Sequence, residues 1–280
     1  MQDARRVEMD WAALWRELCE VSMRCEAARD SQDAWVGRSQ RHHARTNRRW
    51  AKPDSSRQTI AAMLAAAPGA TLLDIGAGTG AWAAYLAPFA ARITAVEPSP
   101  AMLDVLRETL AAQDITNVDV LQAAWPHAEV PDHDFSLCSH AMYGFPDLPA
   151  FVRRMEQVTR RTCFLVLRAP STGSVMAEAA LHLWGHPHDS PNFQIAYNVL
   201  LQMGIRPNVL FEDEGLWQPW TSDTLADALA EVKRRFALKT PEHDAFLADL
   251  LRRRLREEDG RFVWPPGVRS ALVYWQVGRD

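Results

Sequence analysis

Short apolar segments alternate with amphipathic segments through the middle of the chain, and this alternation restricts the fold more than any other feature. The apolar segments have the length of buried strands and lie at residues 71–75, 92–97, 118–122, 135–140 and 162–168. Helical patterns separate them, most clearly at residues 100–113 and 149–159. Because strands that alternate with helices form parallel βαβ units, the sequence predicts an α/β protein with a doubly wound sheet.

The flanking segments are less regular. Apolar residues at helical spacing predict a helix at residues 9–29, whereas residues 30–53 are polar, rich in Arg and His, and typical of a solvated basic loop around His42 and His43. Further helices are predicted at residues 55–67, 174–184, 192–203, 222–237 and 241–258. The candidate N-caps are Ser55 or Ser56 for the first of these helices, Ser222 for the fourth and Thr240 for the fifth. Two late strands are predicted at 209–212 and 272–277.

Charge and composition exclude several classes of protein. The 280 residues include 31 basic and 35 acidic side chains, so the net charge is −4, which argues against a dedicated nucleic-acid or membrane-surface binder. The 4 cysteines lack the spacing of a metal site. The first residues lack the apolar core of a signal peptide, and no apolar run reaches the roughly 18 residues of a membrane span. We therefore expect a soluble, cytoplasmic protein with reduced cysteines.

A glycine-rich turn follows the first strand of the alternation. Residues 72–80 read LLDIGAGTG, which places glycines at positions 76, 78 and 80 directly after the strand that carries Asp74. One βαβ step later, Glu97 ends the next strand, where a carboxylate can accept hydrogen bonds from both hydroxyls of a ribose. The turn lacks both the GxGxxG spacing of dinucleotide sites and the lysine of phosphate-binding loops. It therefore favours a nucleoside ligand without a phosphate, although a different nucleotide remains the alternative.

The segments DIGAGTG and VEPSPAML resemble those of class I S-adenosylmethionine (SAM)-dependent methyltransferases, over roughly residues 55–170. The resemblance implies a seven-stranded, mostly parallel Rossmann-like sheet with an antiparallel last strand, and SAM as the cofactor with S-adenosylhomocysteine (SAH) as its product. It also assigns cofactor contacts: the methionine part to Asp74, Gly76, Ala77, Gly78 and Gly80, the ribose to Glu97, the adenine to Pro98 and Met102. The acidic residue that usually contacts the adenine amine is absent, so we expect Trp125 to cover the adenine while the main chain near Ala124 reads the amine.

Candidate catalytic groups follow the fourth strand. His140 lies where many relatives face the sulfonium, and its ordinary pKa would let it take a proton from an acceptor hydroxyl or amine. Tyr143 is a candidate contact to substrate or cofactor. The alternative for His140 is a packed histidine at the end of a strand.

Other side chains carry weaker signals. His182, His186 and His188 have a spacing that can bind a metal, but surface histidines are the favoured interpretation and no metal is predicted. Arg38 and Arg45 are either solvated or available to bind a substrate carboxylate. At least two tryptophans of a set outside the sheet are expected to line the substrate pocket; the set is Trp35, Trp50, Trp184, Trp217, Trp220 and Trp264.

The sequence thus predicts SAM-dependent methyl transfer to an O or N atom of a small-molecule acceptor, by in-line attack on the sulfonium methyl. Residues 1–54 are expected to form a helical lid, and residues 55–280 the methyltransferase domain, with helical insertions at about 171–205 and 221–258. We expect a monomer or homodimer with neither nucleic-acid nor membrane partners. Two alternatives stay open: a non-catalytic SAM-binding or regulatory protein, and a nucleic-acid or protein methyltransferase.

Overall fold

The computed structural model describes residues 9–27, 33, 35–170, 173–217 and 219–278, and its centre is a seven-stranded sheet. The strand order is β3-β2-β1-β4-β5-β10-β6. The strands are β1 (Thr71–Ile75), β2 (Arg92–Glu97), β3 (Val118–Gln122), β4 (His133–Ser139), β5 (Thr159–Pro170), β6 (Asn208–Phe211) and β10 (Val268–Gln276). β10 is antiparallel to β5 and β6, and β1 to β5 pair in parallel, so the predicted doubly wound Rossmann-like sheet is confirmed.

Helices cover both faces of the sheet. They are α1 (Trp11–Ala27), α2 (Ser39–Trp50), α3 (Ser55–Ala65), α4 (Ala81–Leu86), α5 (Pro100–Ala112), α6 (Leu148–Gln157), α7 (Val175–Trp184), α8 (Phe193–Gln202), α9 (Leu225–Arg235) and α10 (Asp244–Arg254). One face packs against α1, α6 and α8, through side chains such as Trp15, Phe151 and Val199. The other packs against α3 and α4 through Ile60 and Leu64 among others. None of the helices in the described ranges is long and apolar enough to cross a membrane.

The prediction of a solvated basic loop around His42 and His43 is wrong, because Ser39–Trp50 forms helix α2. Its Arg, Gln and Ala residues are good helix formers, and the helix packs against α5. Trp50 at its end lies with its ring centroid 4.9 Å from that of Trp82 on α4. A segment that is polar around most of its circumference is therefore held as a helix by its neighbours.

The predicted helix at 241–258 ends too late. After α10, the residues Arg256–Glu258 form strand β8, which pairs with β9 (Arg261–Val263), and β9 pairs with β7 (Thr221–Ser222) in a separate three-stranded sheet. Asp259 and Gly260 form the two-residue loop between β8 and β9, both with positive φ (49° and 72°). An Asp-Gly pair is a typical hairpin turn of this kind, and it redirects the chain here.

The predicted N-caps are also corrected. Asp54, not Ser55 or Ser56, caps α3 by accepting hydrogen bonds from the backbone amides of residues 56 and 57. The helix predicted to start after Ser222 is capped by Thr224 in a capping box with Asp227. The helix predicted to start after Thr240 begins instead at residue 244, after His243, without a side-chain cap.

A second cluster of buried apolar side chains lies outside the main sheet. It joins α7, α9 and α10 and contains Val175, Val232, Leu250 and Trp264. This cluster fixes the segments on either side of β6 as one packed unit beside the carboxyl ends of β4 and β5.

Candidate active site

The glycine turn between β1 and α4 has a conformation that side chains rarely adopt. Gly76, Gly78 and Gly80 have φ values of 70°, 57° and 83°. The amides of Gly76 and Ala77 donate to the carbonyl oxygen of Val96 on β2 at 2.8 and 3.0 Å. A Cβ at position 76 would lie only 2.2 Å from the Cβ of Ala141. The turn therefore passes directly against the chain that leaves β4, which is where His140 and Tyr143 lie.

Glu97 joins this turn to the start of α5. One carboxylate oxygen accepts a hydrogen bond from the Gly78 amide and the other from the Ser99 amide, both at 2.9 Å. The side chain is buried, and burial raises the pKa of its carboxyl. Since a carboxylate has about four acceptor positions, two remain for hydroxyl donors of a ligand.

Asp74 is a buried residue of β1, two residues before the first glycine of the turn. It is 1% exposed, and its Oδ2 atom has no hydrogen-bond partner among the described residues. Burial and, to a lesser extent, the charge of Glu97 raise its pKa to about 7. A buried carboxylate oxygen without a partner is costly, so this site suits a ligand that brings a donor or a positive charge.

The residues predicted to contact the adenine differ in their burial and in their packing. Met102 is buried at the start of α5, whereas Pro98 and Ala124 are exposed. The ring of Trp125 packs edge-on against Phe151 of α6, with centroids 6.2 Å apart, and its Nε1 atom is buried without a hydrogen-bond partner among the described residues. Contact of Trp125 with adenine therefore stays a prediction.

His140 is held by two hydroxyl groups, with a backbone φ of 56°. Its Nδ1 lies 3.0 Å from the Tyr143 hydroxyl, and its Nε2 lies 3.0 Å from the Ser270 hydroxyl on β10. Burial, followed by the charges of Arg49, Arg168 and His42, lowers the pKa of His140 to about 3. A histidine with this pKa is neutral at pH 7 and weakly basic, which favours a positioning role. Its role as general base stays a prediction.

A cavity of about 310 Å³ opens beside His140 and Tyr143. Its wall is mainly aromatic, proline and arginine side chains from α2, β5, α9 and the loops before β7 and β10. The residues that the later argument uses are Arg45, Arg168, Asp189, Trp217, Trp220, Arg235 and Trp264. None of the glycine-turn residues lines this cavity, so it adjoins the turn through His140 and its neighbour Ala141.

Three of the tryptophans singled out in the sequence line the cavity, and three do not. Trp217, Trp220 and Trp264 form part of its wall. The others pack elsewhere: Trp35 against His42, Trp50 against Trp82, and Trp184 against Phe236.

The arginines and histidines singled out in the sequence also lie in different places, some in the cavity wall and some outside it. Arg45 lines the cavity, but the guanidinium of Arg38 lies over the ring of Trp35. His182 stacks on Phe246, with centroids 3.6 Å apart. Within the described ranges, no group of three or more His, Cys, Asp or Glu residues could hold a metal ion.

Comparison with known proteins agrees with this geometry. A family profile described as "Methyltransferase domain" matches residues 72–162. Malonyl-[acyl-carrier protein] O-methyltransferase of Serratia marcescens is 32% identical over 108 residues, which is 39% of this chain and 41% of that protein. Residues 72–162 are therefore a methyltransferase domain, with the fold of the class I SAM-dependent methyltransferases. SAM is accordingly the cofactor of this methyltransferase domain.

Two further similarities show how far the relationship extends. rRNA adenine N-6-methyltransferase of Streptomyces fradiae is 31% identical over 86 residues, which is 31% of this chain and 27% of that protein. The matches thus span less than half the length of the curated relatives. The crystal structure of YcgJ from Bacillus subtilis has 18% identity and a TM-score of 0.52 over 80% of this chain and 98% of that chain, which shows a shared fold.

The residues around the glycine turn of this domain fit SAM. The orphan Oδ2 of Asp74 suits the positively charged amino group of the methionine part, and the remaining acceptor positions of Glu97 suit the ribose hydroxyls. The open space at Gly78, where an added Cβ would meet nothing nearer than 4.0 Å, lets a ligand approach the main chain.

Sequence reasoning missed the residues that support this site. Ser99 caps α5, and its hydroxyl donates to the carboxylate of Asp33, at 2.8 Å to one oxygen and 2.9 Å to the other. A serine directly before a proline at a helix start is a readable N-cap signal. The part played by Asp33, Ser270 and Ala141 has no such local signal, because each reaches the site from a distant part of the chain.

Asp74→Asn is expected to make the protein more stable at neutral and higher pH. The carboxyl titrates near 3.8 when unfolded and near 7 when folded, so the native state binds more protons between these values. The contribution of Asp74 to the free energy of unfolding therefore falls as pH rises from about 4 to about 7 and then levels off. Asparagine does not titrate and therefore avoids this loss. We expect the free energy of unfolding to rise by on the order of 2 kcal/mol near pH 8 and to change little near pH 4.

Urea denaturation of both proteins at several pH values measures this difference. Asp104→Asn is the matched control, because Asp104 is an exposed carboxylate of α5. A stability difference between Asp74→Asn and the unmodified protein that does not grow with pH would contradict the expectation.

Proposed function

We propose that this methyltransferase transfers the methyl group of SAM to an O or N atom of a small-molecule acceptor bound in the cavity beside His140 and Tyr143. The observation that carries the proposal is the contact between Gly76 and Ala141, which places the cofactor turn against the residue directly after His140 of the cavity wall. A cavity of about 310 Å³, with aromatic, proline and arginine side chains in its wall, suits a small molecule better than a macromolecule.

The chain's own residues would act mainly by positioning. SAM, when bound, supplies a methyl group on a positively charged sulfur, whose thioether leaving group needs no acid. Asp74 and Glu97 would hold the amino group and the ribose of the cofactor, and the tryptophans of the cavity would exclude water and orient the acceptor. Orientation and exclusion of water can supply most of the rate of such a displacement.

Tyr143 and His140 would orient the acceptor atom. The Tyr143 hydroxyl accepts a hydrogen bond from the backbone amide of Arg168 at 2.5 Å, and it lies 3.0 Å from His140 Nδ1. Ser270 accepts from Arg49 at 3.1 Å and lies beside His140 Nε2. This chain of contacts fixes the ring of His140, so the two side chains present a defined polar edge to the cavity.

We further propose that residues 1–54 act as a lid over the methyltransferase domain of residues 55–280. Support comes from the contact between Asp33 and Ser99 beside Glu97, and from Arg45 of α2 in the cavity wall. The insertions at about 171–205 and 221–258 would complete the cavity, since Asp189 and Arg235 come from them.

A labelling experiment tests the proposed function. The protein is incubated with SAM that carries an isotopically labelled methyl group and with a cell extract divided into small-molecule, RNA and protein fractions. We expect label in the small-molecule fraction only. Label in RNA or protein would overturn the choice of acceptor, and SAH binding without any labelled product would support a binding protein instead of an enzyme.

A further inference from the structure

Four polar side chains beside the cavity form one continuous row of hydrogen bonds. Arg49 of α2 donates through Nη2 to the Ser270 hydroxyl at 3.1 Å, and the same nitrogen donates to Glu212 at 2.6 Å. The Ser270 hydroxyl lies 3.0 Å from Nε2 of His140, whose Nδ1 lies 3.0 Å from the Tyr143 hydroxyl. The direction of these bonds decides which hydroxyl keeps a hydrogen for a ligand.

Arg49 fixes the direction of the first bond. A guanidinium is always protonated and only donates. It is held in place by Glu212, whose side chain is 1% exposed, and it lies 4.1 Å from the ring centroid of Trp217. The Ser270 oxygen therefore always receives a hydrogen from Arg49. Among the described residues, the hydrogen of Ser270 itself has only one acceptor within reach, which is Nε2 of His140.

Neutral His140 carries a single N–H, and two positions of that hydrogen fit the distances around the ring. A hydrogen on Nε2 would be donated to Ser270, and the hydroxyl hydrogen of Ser270 would then have no acceptor. Ser270 is 1% exposed, and such a buried donor costs about 1–3 kcal/mol. A hydrogen on Nδ1 is donated to Tyr143, and the hydrogen that is left over belongs to Tyr143. Because Tyr143 lines the cavity, a ligand can accept that hydrogen, and this arrangement is favoured.

The Tyr143 oxygen then has two donors from the protein. One is Nδ1–H of His140, and the other is the backbone amide of Arg168 at 2.5 Å. With both acceptor positions of its oxygen used, the Tyr143 hydroxyl can only donate to a ligand. His140 has no free lone pair, since its Nε2 accepts from Ser270. His140 and Ser270 are therefore positioning residues for Tyr143.

We propose that the Tyr143 hydroxyl is a fixed hydrogen-bond donor to the methyl acceptor. The acceptor then carries, besides the atom that is methylated, a group with a lone pair and no hydrogen, such as a carbonyl oxygen or an aromatic ring nitrogen. The methylated atom is a poor partner for this donor, because it needs its lone pair for the attack on the methyl group. The proposal rests on the function proposed above and deepens it.

Two tryptophans of the cavity wall agree with an apolar body for such an acceptor. Nε1 of Trp217 already donates to Glu212, and Nε1 of Trp264 donates to the Ser222 hydroxyl at 3.0 Å. Since the polar groups of both rings are used within the protein, the rings offer apolar surface to the cavity.

NMR spectroscopy tests the direction of the hydrogen bonds without any acceptor. Proton–nitrogen correlation spectra of protein with isotopically labelled histidine, recorded at neutral pH with saturating SAH, distinguish a ring hydrogen on Nδ1 from one on Nε2. The His140 signals are assigned by their absence from His140→Gln. We expect the hydrogen on Nδ1. A hydrogen on Nε2, or exchange between the two nitrogens, would overturn the proposal.

Two flat probes test the group that Tyr143 recognises. Acetophenone has a carbonyl oxygen where isopropenylbenzene, of the same shape, has a methylene group. Their affinities are measured by NMR titration of the SAH-bound protein and of its Tyr143→Phe variant. We expect the variant to bind acetophenone about twofold to tenfold more weakly, since a net hydrogen bond contributes about 0.5–1.5 kcal/mol, and to bind isopropenylbenzene equally well. Equal weakening of both probes, no weakening of acetophenone, or absence of acetophenone binding would overturn the proposal.

Two further variants locate the effect. Tyr197→Phe is the matched control, because Tyr197 lies on α8 outside the cavity wall, and it should change neither affinity. Ser270→Ala removes the donor to Nε2, so the ring hydrogen of His140 should no longer be confined to Nδ1; an unchanged His140 spectrum would contradict the positioning role of Ser270. SAH binding is measured separately. Its absence from the unmodified protein would contradict the proposed function, whereas SAH binding together with a hydrogen on Nε2 would contradict only this inference.

Discussion

Glu97→Ala is expected to weaken the binding of SAM and SAH by roughly 100-fold to 10,000-fold. Two hydrogen bonds from ribose hydroxyls to a carboxylate are each worth about 1.5–3 kcal/mol, and the variant loses both. It also removes the acceptor for the amides of Gly78 and Ser99, which lie 2.9 Å from the two carboxylate oxygens. The glycine turn thereby loses its link to α5, so the remaining contacts are also weakened.

Calorimetric titration with SAH measures this effect without turnover. Glu97→Gln is the second variant: it keeps one acceptor oxygen and should bind with intermediate affinity, which separates the loss of a contact from a failure to fold. Glu108→Ala is the matched control, because Glu108 is an exposed glutamate of the following helix α5 whose side chain bonds only to Gln40 in the described structure. If Glu97→Ala binds SAH within about threefold of the unmodified protein, while folded, the ribose assignment fails.

All seven strands of the central sheet could be predicted, three of them to the residue and the others with ends that differ by up to four residues. β1, β2 and β3 have the bounds that the sequence predicts, because strands of a parallel sheet are covered by helices on both faces and appear as short apolar runs between turns. The cofactor half of the site follows from the same local signals. Asp74, the glycines and Glu97 lie within one βαβ unit, so their spacing in sequence determines their proximity in space.

The cavity could not be predicted in this way. His140 contacts Ser270 across 130 residues, and Arg235 contacts Asp189 across 46 residues. Such contacts depend on how the segments on either side of β6 pack on the sheet, and no local pattern encodes that packing. The sequence indicated that some tryptophans would line the pocket and left Arg45 either solvated or available to the acceptor, but it gave no reason to connect Arg168 with Asp189.

Two errors in the predicted secondary structure, at α2 and after α10, also result from tertiary contacts. The segment of α2 has so few apolar residues that only its packing against α5 and Trp82 makes it a helix. The segment after α10 continues with Arg and Glu, which are good helix formers, yet the turn at Asp259 and Gly260 allows a hairpin. In both places tertiary contacts outweigh a weak local preference.

Gly76→Ala should destabilise the protein more than alanine at any other described glycine, because the added Cβ has the shortest contact there. Alanine at a φ of 70° costs about 1–2 kcal/mol. The added Cβ would also lie 2.2 Å from the Cβ of Ala141, and relieving such overlap costs about 1–3 kcal/mol more. We therefore expect a loss of roughly 2–5 kcal/mol in the free energy of unfolding, together with weaker SAH binding, since the turn must move.

Two comparisons separate these causes. Gly78→Ala has a similar φ of 57° but no atom nearer than 4.0 Å, so it should lose only the conformational contribution. Ala141→Gly, introduced into Gly76→Ala, removes the overlapping methyl group and should restore the contribution of the overlap, which a double-mutant cycle measured by urea denaturation would show as a favourable coupling. Purely additive losses would mean that the turn and the chain after β4 do not touch. The cofactor site and the acceptor cavity would then lack the contact that joins them.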